Sequence, residues 1–252
     1  MGSYKKEQKT FLMNKEVKPY KNPLNKKKQV EQMFDKIAVR YDLLNRFLTF
    51  GIDNFWRKTA VKKIENSPSN ILDIATGTAD LAIIASKITN AEVVGIDISN
   101  KMLDLGKEKI RKENLGSRIK LLIQDAENLS FDNNSFDAVT VGFGVRNFEN
   151  LKKGLNEIHR VLKKGGYVAI LEPSHPNSFP LKQIFNLYFN YITPIIGNFI
   201  SRDFSAYSYL SKSVKKFPHN KEFISILEKV GFKKCDFYPL TFGAVSLYIA
   251  IK

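Results

Sequence analysis

The run Ile71-Leu72-Asp73-Ile74-Ala75-Thr76-Gly77-Thr78-Ala79-Asp80-Leu81-Ala82 constrains the fold more than any other stretch of the chain. A short apolar segment meets a turn of small residues and passes into residues that favour a helix. A strand feeding a helix through such a turn points backbone N–H groups and the positive helix end at one place. That place holds a phosphate, or the carboxylate and ribose of a nucleoside-like cofactor. Downstream, Val93-Val94-Gly95-Ile96-Asp97 has the pattern of a buried strand ending in an acid. Asp97 lies twenty residues past Gly77, about the spacing at which an acidic side chain accepts hydrogen bonds from a cofactor ribose.

From residue 70 the pattern alternates regularly. It predicts strands at 70–74, 92–96, 119–124, 137–141 and 166–172, and helices at 80–88, 99–113 and 148–162. Apolar strand interiors separated by helices mean a parallel sheet covered on both faces. Lys163-Lys164-Gly165-Gly166 is expected to end the third of these helices with a glycine cap. A helix over Phe223 to Val230 should stop at Gly231, and residues 232–238 and 244–251 should form a closing antiparallel hairpin. Ahead of the sheet, Val30, Met33, Phe34, Ile37, Tyr41, Leu44 and Leu48 recur at helical spacing, predicting a helix over 28–47. A second covers Asp53 to Ile64 with Asp53 as its N-cap.

The fold class is therefore α/β: a doubly wound, Rossmann-like sheet of about seven strands with a C-terminal hairpin. A nicotinamide dehydrogenase would instead continue with parallel units and a second domain. The turn also has only Gly77 of the three glycines that a pyrophosphate needs. A nucleoside cofactor without a pyrophosphate fits better, and S-adenosyl-L-methionine is the common one.

Charge and cysteine content narrow the classes. The formal charge is +15, and residues 1–28 carry nine Lys against two Glu. This segment is expected to be a disordered basic tail, attracted to an anionic membrane surface. Aromatics barely interleave with its lysines, so nucleic acid is not an expected partner. Cys235 is the sole cysteine, which excludes an internal disulfide, and no metal-ligand constellation stands out. No signal-peptide core opens the sequence, and Asn186, Asn190, Pro194 and Asn198 interrupt the uncharged stretch 183–201. The expected location is cytoplasmic. Residues 29–252 form one domain, with a helical cover at 29–66 and a lid-like insertion at 177–218.

Several motifs resemble one family. Met33-Phe34-Asp35-Lys36-Ile37-Ala38, Tyr41-Asp42-Leu43-Leu44-Asn45 and Gly51-Ile52-Asp53 with Trp56-Arg57 are similar to the opening of the ubiquinone/menaquinone biosynthesis C-methyltransferases. The likeness continues through Thr76–Asp80, Asp97-Ile98-Ser99, Asp125-Ala126-Glu127, Phe143-Gly144-Val145-Arg146-Asn147-Phe148, Leu171-Glu172-Pro173, Ala206–Leu210 and Phe217-Pro218. It implies a class I S-adenosylmethionine-dependent methyltransferase that methylates a ring carbon of a demethylated polyprenyl quinol at the inner face of the membrane. By the resemblance Thr78, Asp97, Asp125 and Ala126 contact the cofactor: Thr78 beside the methionine end, Asp97 on the ribose, Asp125 on the adenine amino group and Ala126 against the ring. Asp73 and Gly77, in the same turn as Thr78, complete the expected cofactor set. The chain departs from the family pattern at Ala79, where glycine is usual, at Gly142, where some relatives have serine, and in Pro173-Ser174 after Glu172.

Carbon methylation of a quinol needs a ring oxygen carrying negative charge, alignment of the ring carbon with the methyl donor, and loss of a ring proton. A cation beside the oxygen would stabilise it. Arg146 is the candidate, with Asn147 holding a ring oxygen and Tyr41 presenting a phenol from the covering helix. Arg146 could instead pair with a carboxylate to brace its loop. His159 has the sequence context of a solvated helix residue, His175 is a remote candidate base, and His219 a loop residue. If helical, 183–201 carries a wide apolar face, suited to holding a polyprenyl tail. A second copy of the chain is a further candidate partner. Two other functions stay open on the residues alone: an O- or N-methyltransferase of another small molecule or RNA, and a non-catalytic cofactor-binding membrane adaptor.

Overall fold

The computed structural model describes residues 17–176, 179–180, 182–183, 187–188 and 204–252. Helix α1 (Lys26–Thr49) and helix α2 (Asp53–Lys62) come first. They are followed by β1 (Asn70–Ile74), α3 (Asp80–Thr89), β2 (Glu92–Asp97), α4 (Asn100–Lys112), β3 (Ile119–Ile123) and β4 (Phe136–Gly142). Then come α5 (Leu151–Val161), β5 (Leu162–Pro173), α6 (Phe204–Lys216), α7 (Lys221–Val230), β6 (Lys233–Leu240) and β7 (Val245–Ile251). The described strands form one sheet in the order β3-β2-β1-β4-β5-β7-β6. Strands β1 to β5 run parallel, and β7 lies antiparallel between β5 and β6.

Alternate residues of each strand feed opposite faces. Ile71, Val93, Ala138 and Ala169 pack with Trp56 and Val61 of α2 and Leu81 and Ala82 of α3. Leu72, Ile96, Val139 and Val168 pack with Leu155 and Ile158 of α5 and Phe223 and Leu227 of α7. A third, smaller core joins Val30, Met33, Ile37 and Leu44 of α1 to Met102 of α4 and Ala206 and Tyr209 of α6. Strand order reverses at β1 and β4, so the carboxyl ends of β1, β2 and β4 frame a crevice. Helix α1 lies across it.

Three local expectations change. Asp53 is not a side-chain cap: it is buried in the first turn of α2, accepts from Thr49 Oγ1 at 3.0 Å and pairs with Arg57. A buried carboxylate takes the nearest cation rather than exposed amides. Gly165 does not cap α5, because Leu162 leaves the helix directly in an extended conformation. Gly165 instead makes a left-handed bend in β5 (φ +76°), where its N–H reaches Lys252 O. His159 is half-buried rather than fully solvated; it packs edge-on against Phe232 at 5.0 Å.

The basic tail is legible only in part. Residues 1–16 lie outside the described set, but α1 begins at Lys26 and takes in two of the lysines ahead of its expected start. Buried Gln29 folds the preceding segment onto the helix, accepting from Tyr20 N–H and donating to Asn22 O and Leu24 O. The expected lid at 177–218 falls largely outside the described residues, apart from α6 and a few isolated positions.

Gly144 lets the loop after β4 approach the turn after β1. A Cβ there would lie 2.6 Å from Ala75 Cβ and 3.1 Å from Val141 Cγ1, neither at the end of a flexible side chain. Gly144→Ala is expected to lower the unfolding free energy by about 1–3 kcal/mol. Urea denaturation measures it, and an unchanged midpoint would contradict the close approach.

Candidate active site

The turn between β1 and α3 places left-handed backbone at every second residue: Ala75 (φ +53°), Gly77 (+56°) and Ala79 (+66°). The alternation curls the chain tightly enough to turn the amides of the turn inward. The two alanines hold a conformation that costs a residue with a Cβ about 1–2 kcal/mol. Ala79 is fully buried, so the methyl that departs from the family pattern sits under the turn, beside Gly106 of α4, rather than in the cleft.

Beneath the turn, Asp73 is fully buried and accepts from Thr76 Oγ1 and Thr140 Oγ1, both at 2.6 Å. Burial pushes its pKa up to about 6, against the opposing effect of the two hydroxyls. Across the crevice, Asp97 accepts from Gly77 N–H at 2.9 Å through one oxygen and from Ser99 N–H at 2.9 Å through the other. Burial raises its pKa too, and the backbone hydrogen bonds oppose the rise. These contacts pin an acceptor-only carboxylate at the end of β2 while leaving lone pairs for a diol.

A cleft opens here, lined by Gly77, Asp97, Met102, Asp125, Ala126 and Phe148 among others. Asp125 follows β3 and accepts from Glu127 N–H through one oxygen and from Lys27 Nζ at 2.6 Å through the other. Ile98, Met102, Ala126 and Phe148 give the cleft apolar walls beside that acid. A carboxylate for a ribose, a second for an exocyclic amine and an apolar slot between them fit the nucleoside of S-adenosylmethionine.

A second cavity of about 310 Å³ adjoins the first, and Phe34, Tyr41, Phe143 and Asn147 border both. Its lining is chiefly apolar, with Met33, Ile37, Leu44 and Leu48 of α1, Trp56 of α2 and Tyr209 and Leu210 of α6. Arg146 reaches into its wall. Its guanidinium donates to Glu172 Oε2 at 2.9 Å and to Phe143 O. Glu172 is fully buried, so desolvation raises its pKa and the arginine counteracts the rise. Among the described residues, Arg146 Nε is buried without a partner. Asn147 accepts from Tyr209 Oη at 3.1 Å. Burial holds the Tyr41 phenol above its ordinary pKa, against an Asn45 hydrogen bond and the field of Arg57, so it stays a donor. Arg57 also borders the cavity, paired with Asp53 and 5.8 Å from the Phe143 ring centroid.

The structure thus gathers Gly77, Asp97, Asp125 and Ala126 in the cleft, Arg146 in the cavity, and Tyr41 and Asn147 at their junction. Asp73 and Thr78 line neither. Thr78 Oγ1 donates to Asp42 at 2.6 Å and accepts from Lys109 at 2.9 Å, tying the turn to α1 and α4. Glu172, Arg57 and Tyr209 stand in the motifs that carry the family resemblance but have no role assigned from sequence, and Lys27 stands in none. A glutamate inside the apolar run ending β5 is a signal that a buried cation must meet it. Lys27, one of three consecutive lysines, carries no such signal.

Fold and site together define a class I S-adenosylmethionine-dependent methyltransferase. The resemblance in fold alone is seen with a SAM-dependent methyltransferase of Thermotoga maritima, at TM-score 0.61 and 18% identity, covering 88% of this chain and 99% of that one. The sequence is more specific: the profile of the ubiE/COQ5 methyltransferase family matches residues 22–252, and the chain belongs to that family. It is 46% identical to a demethylmenaquinone methyltransferase of Bacteroides fragilis over 238 residues, 94% of this chain and 97% of the relative. It is 43% identical to a ubiquinone/menaquinone biosynthesis C-methyltransferase of Geotalea daltonii over 230 residues, 90% and 97% of the two chains.

Asp73 makes stability depend on pH. Its folded pKa of about 6 lies above the ordinary 3.8, so between these values the folded chain holds a proton that the unfolded chain has lost. Stability therefore falls as pH rises through that window, and the raised pKa values of Asp97 and Glu172 act in the same direction. Asp73→Asn should flatten the decline between about pH 4 and about pH 6. Urea unfolding across that range measures it, and an unchanged slope would contradict the placement of a charged Asp73 in the core.

Proposed function

We propose that the protein methylates a ring carbon of a demethylated polyprenyl quinol, demethylmenaquinol to menaquinol, using S-adenosylmethionine. The observation that carries this reading is the second cavity: an apolar chamber bordering the cofactor cleft, with the guanidinium groups of Arg57 and Arg146 in its wall. The names of relatives at 42–46% identity point to the same substrate class. A general small-molecule O- or N-methyltransferase would not need so large an apolar chamber.

Bound in the cleft, S-adenosylmethionine supplies an electrophilic methyl group. In this reading Asp97 holds the ribose hydroxyls, Asp125 accepts from the adenine amino group, and Ala126 packs on the ring. Gly77 shapes the methionine end, while Asp73 and Thr78 act from below, by bracing the turn. The Arg146 guanidinium, which lines the cavity, donates to a quinol oxygen, favouring the ring's anionic form in a site shielded from water. Glu172 offsets the rest of the guanidinium charge and fixes its plane. Tyr41 and Asn147, at the junction of the two spaces, orient the ring so that its vacant carbon faces the cleft. Arginine stays protonated and does not remove the ring proton.

The tail of the substrate needs an exit toward lipid. Phe50 lines the cavity and is exposed, and Leu43, Phe47, Phe55 and Phe242 are exposed beside the lining residues Leu44, Leu48, Trp56 and Thr241, with Phe50 and Phe242 more than three-quarters exposed. Phe242 is brought there by a Trp56 to Thr241 hydrogen bond of 2.7 Å. Arg40, Arg46 and Lys58 are exposed on the same two helices. An apolar rim flanked by cations suits the headgroup zone of an anionic bilayer. No described helix is long and apolar enough to cross a membrane. The stretch 183–201, expected to hold the polyprenyl tail, lies mostly outside the described residues.

Three outcomes test the proposal. A strain lacking the gene should accumulate the demethylated quinone, and an unchanged quinone pool would contradict the function. Arg146→Ala should lower kcat by about 10²–10³ with a smaller change in cofactor affinity; equal loss in both would make Arg146 a brace only. The triple variant Phe47→Ser, Phe50→Ser, Phe242→Ser should lose co-sedimentation with phosphatidylglycerol vesicles, and undiminished binding would remove the rim from the account.

A further inference from the structure

Helix α1 covers the cleft, yet its contacts change character along its length. From Val30 onward it is held by core packing, with Asp35 accepting from Ser99 Oγ at 2.6 Å and Asp42 meeting Thr78 and Lys109. Its first turn is held by charge. Lys26 N–H donates to Glu149 Oε1 at 3.0 Å, and Lys26 Nζ donates to the carbonyls of Arg146 at 3.1 Å and Phe148 at 2.5 Å. Lys27 Nζ donates to Asp125 Oδ2 at 2.6 Å and lies 3.7 Å from Glu127 Oε2. Glu127 in turn accepts from Glu149 N–H at 2.8 Å. Two adjacent lysines therefore staple the helix start across the loops after β3 and β4, which form the two sides of the adenine end of the cleft.

We propose that this first turn is the gate through which the cofactor enters and leaves, with Lys27 as the residue that holds it shut. The proposal rests on the reading of the cleft as the S-adenosylmethionine site.

Three features set the gate here. The side chains of Lys27 and Asp125 are 27% and 31% exposed, so water and ions can replace their contact at little cost. The adjoining turns of α1 are anchored in the core and cannot lift without exposing it. Ahead of the helix, Val17 and Tyr20 rest on that same core and Gln29 ties Tyr20, Asn22 and Leu24 to it, so the opening is confined to the first turn. Lys27 thus acts as a positioning residue: it holds Asp125 at the wall of the cleft and sets how long the nucleoside stays. A consequence follows for the order of binding. Residues of α1 also line the apolar cavity, so a quinol seated there presses the helix onto the cleft and slows cofactor exchange.

The test is a chase of radiolabelled S-adenosylhomocysteine from the purified protein with excess unlabelled ligand. Lys27→Met, which keeps the stem and removes the charge, should release the label about fivefold faster. Added salt should speed release from the unaltered protein and have less effect on the variant. Lys27→Arg should restore slow release, and Lys28→Met, which loses only a surface pair with Glu31, should leave it unchanged. A short-chain demethylmenaquinol should slow release from the unaltered protein. Release from Lys27→Met at the original rate, or equal acceleration by Lys28→Met, would overturn the gate. A protein that binds no S-adenosylhomocysteine at millimolar concentration would overturn the cofactor reading on which the gate rests.

Discussion

The hydrogen bond from Gly77 N–H to the Asp97 carboxylate joins the turn after β1 to the end of β2, and the site hangs from that join. The turn must curl through three left-handed residues to make it, two of them alanines. Buried Asp73 holds the curl from below through two threonine hydroxyls, one on the turn and one on β4. Thr78 then links the same turn to Asp42 of α1, so the floor and the roof of the cleft share one anchor. Strain in the turn is sustained because neighbours on every side overdetermine it.

The chain carries a net charge of +15, yet charges around the site come in matched groups. Arg146 meets Glu172, Arg57 meets Asp53, Lys109 meets Asp42 and Asp80, and Lys27 meets Asp125. The buried pairs among them, Arg146 with Glu172 and Arg57 with Asp53, gain little net stability over apolar packing, since both ions are desolvated. Their effect is to fix orientation. Arg146 shows the consequence: one nitrogen of its guanidinium is committed to Glu172 and Phe143, which fixes the group in the cavity wall.

The strand and helix alternation from residue 70 was legible because buried parallel strands are continuous apolar runs and the connecting helices have a different period. The spacing of Asp97 from Gly77 located the cleft for the same reason, since both sit where a strand must end. What escaped depended on surroundings that only the fold supplies. Asp53 looks like a cap until Arg57 is seen beside it in the core. Gly165 looks like a helix stop, although a strand bend uses the same left-handed conformation. Arg146 reads from sequence as either a cation for substrate or a brace for its loop; its pair with Glu172 is such a brace, and the residue lines the cavity as well. Lys26 and Lys27 belong by composition to a solvated basic run, and only the fold brings Asp125 and Glu149 to them.

The central claim is that the cleft and the apolar cavity together direct a methyl group to a ring carbon. The most direct measurement supplies the purified protein with S-adenosylmethionine bearing a trideuteriomethyl group and demethylmenaquinol deuterated at its vacant ring position. The account predicts a product whose ring carbon carries the trideuteriomethyl group and has lost the ring deuterium. Label on a ring oxygen with the ring deuterium retained, or no transfer at all, would contradict it.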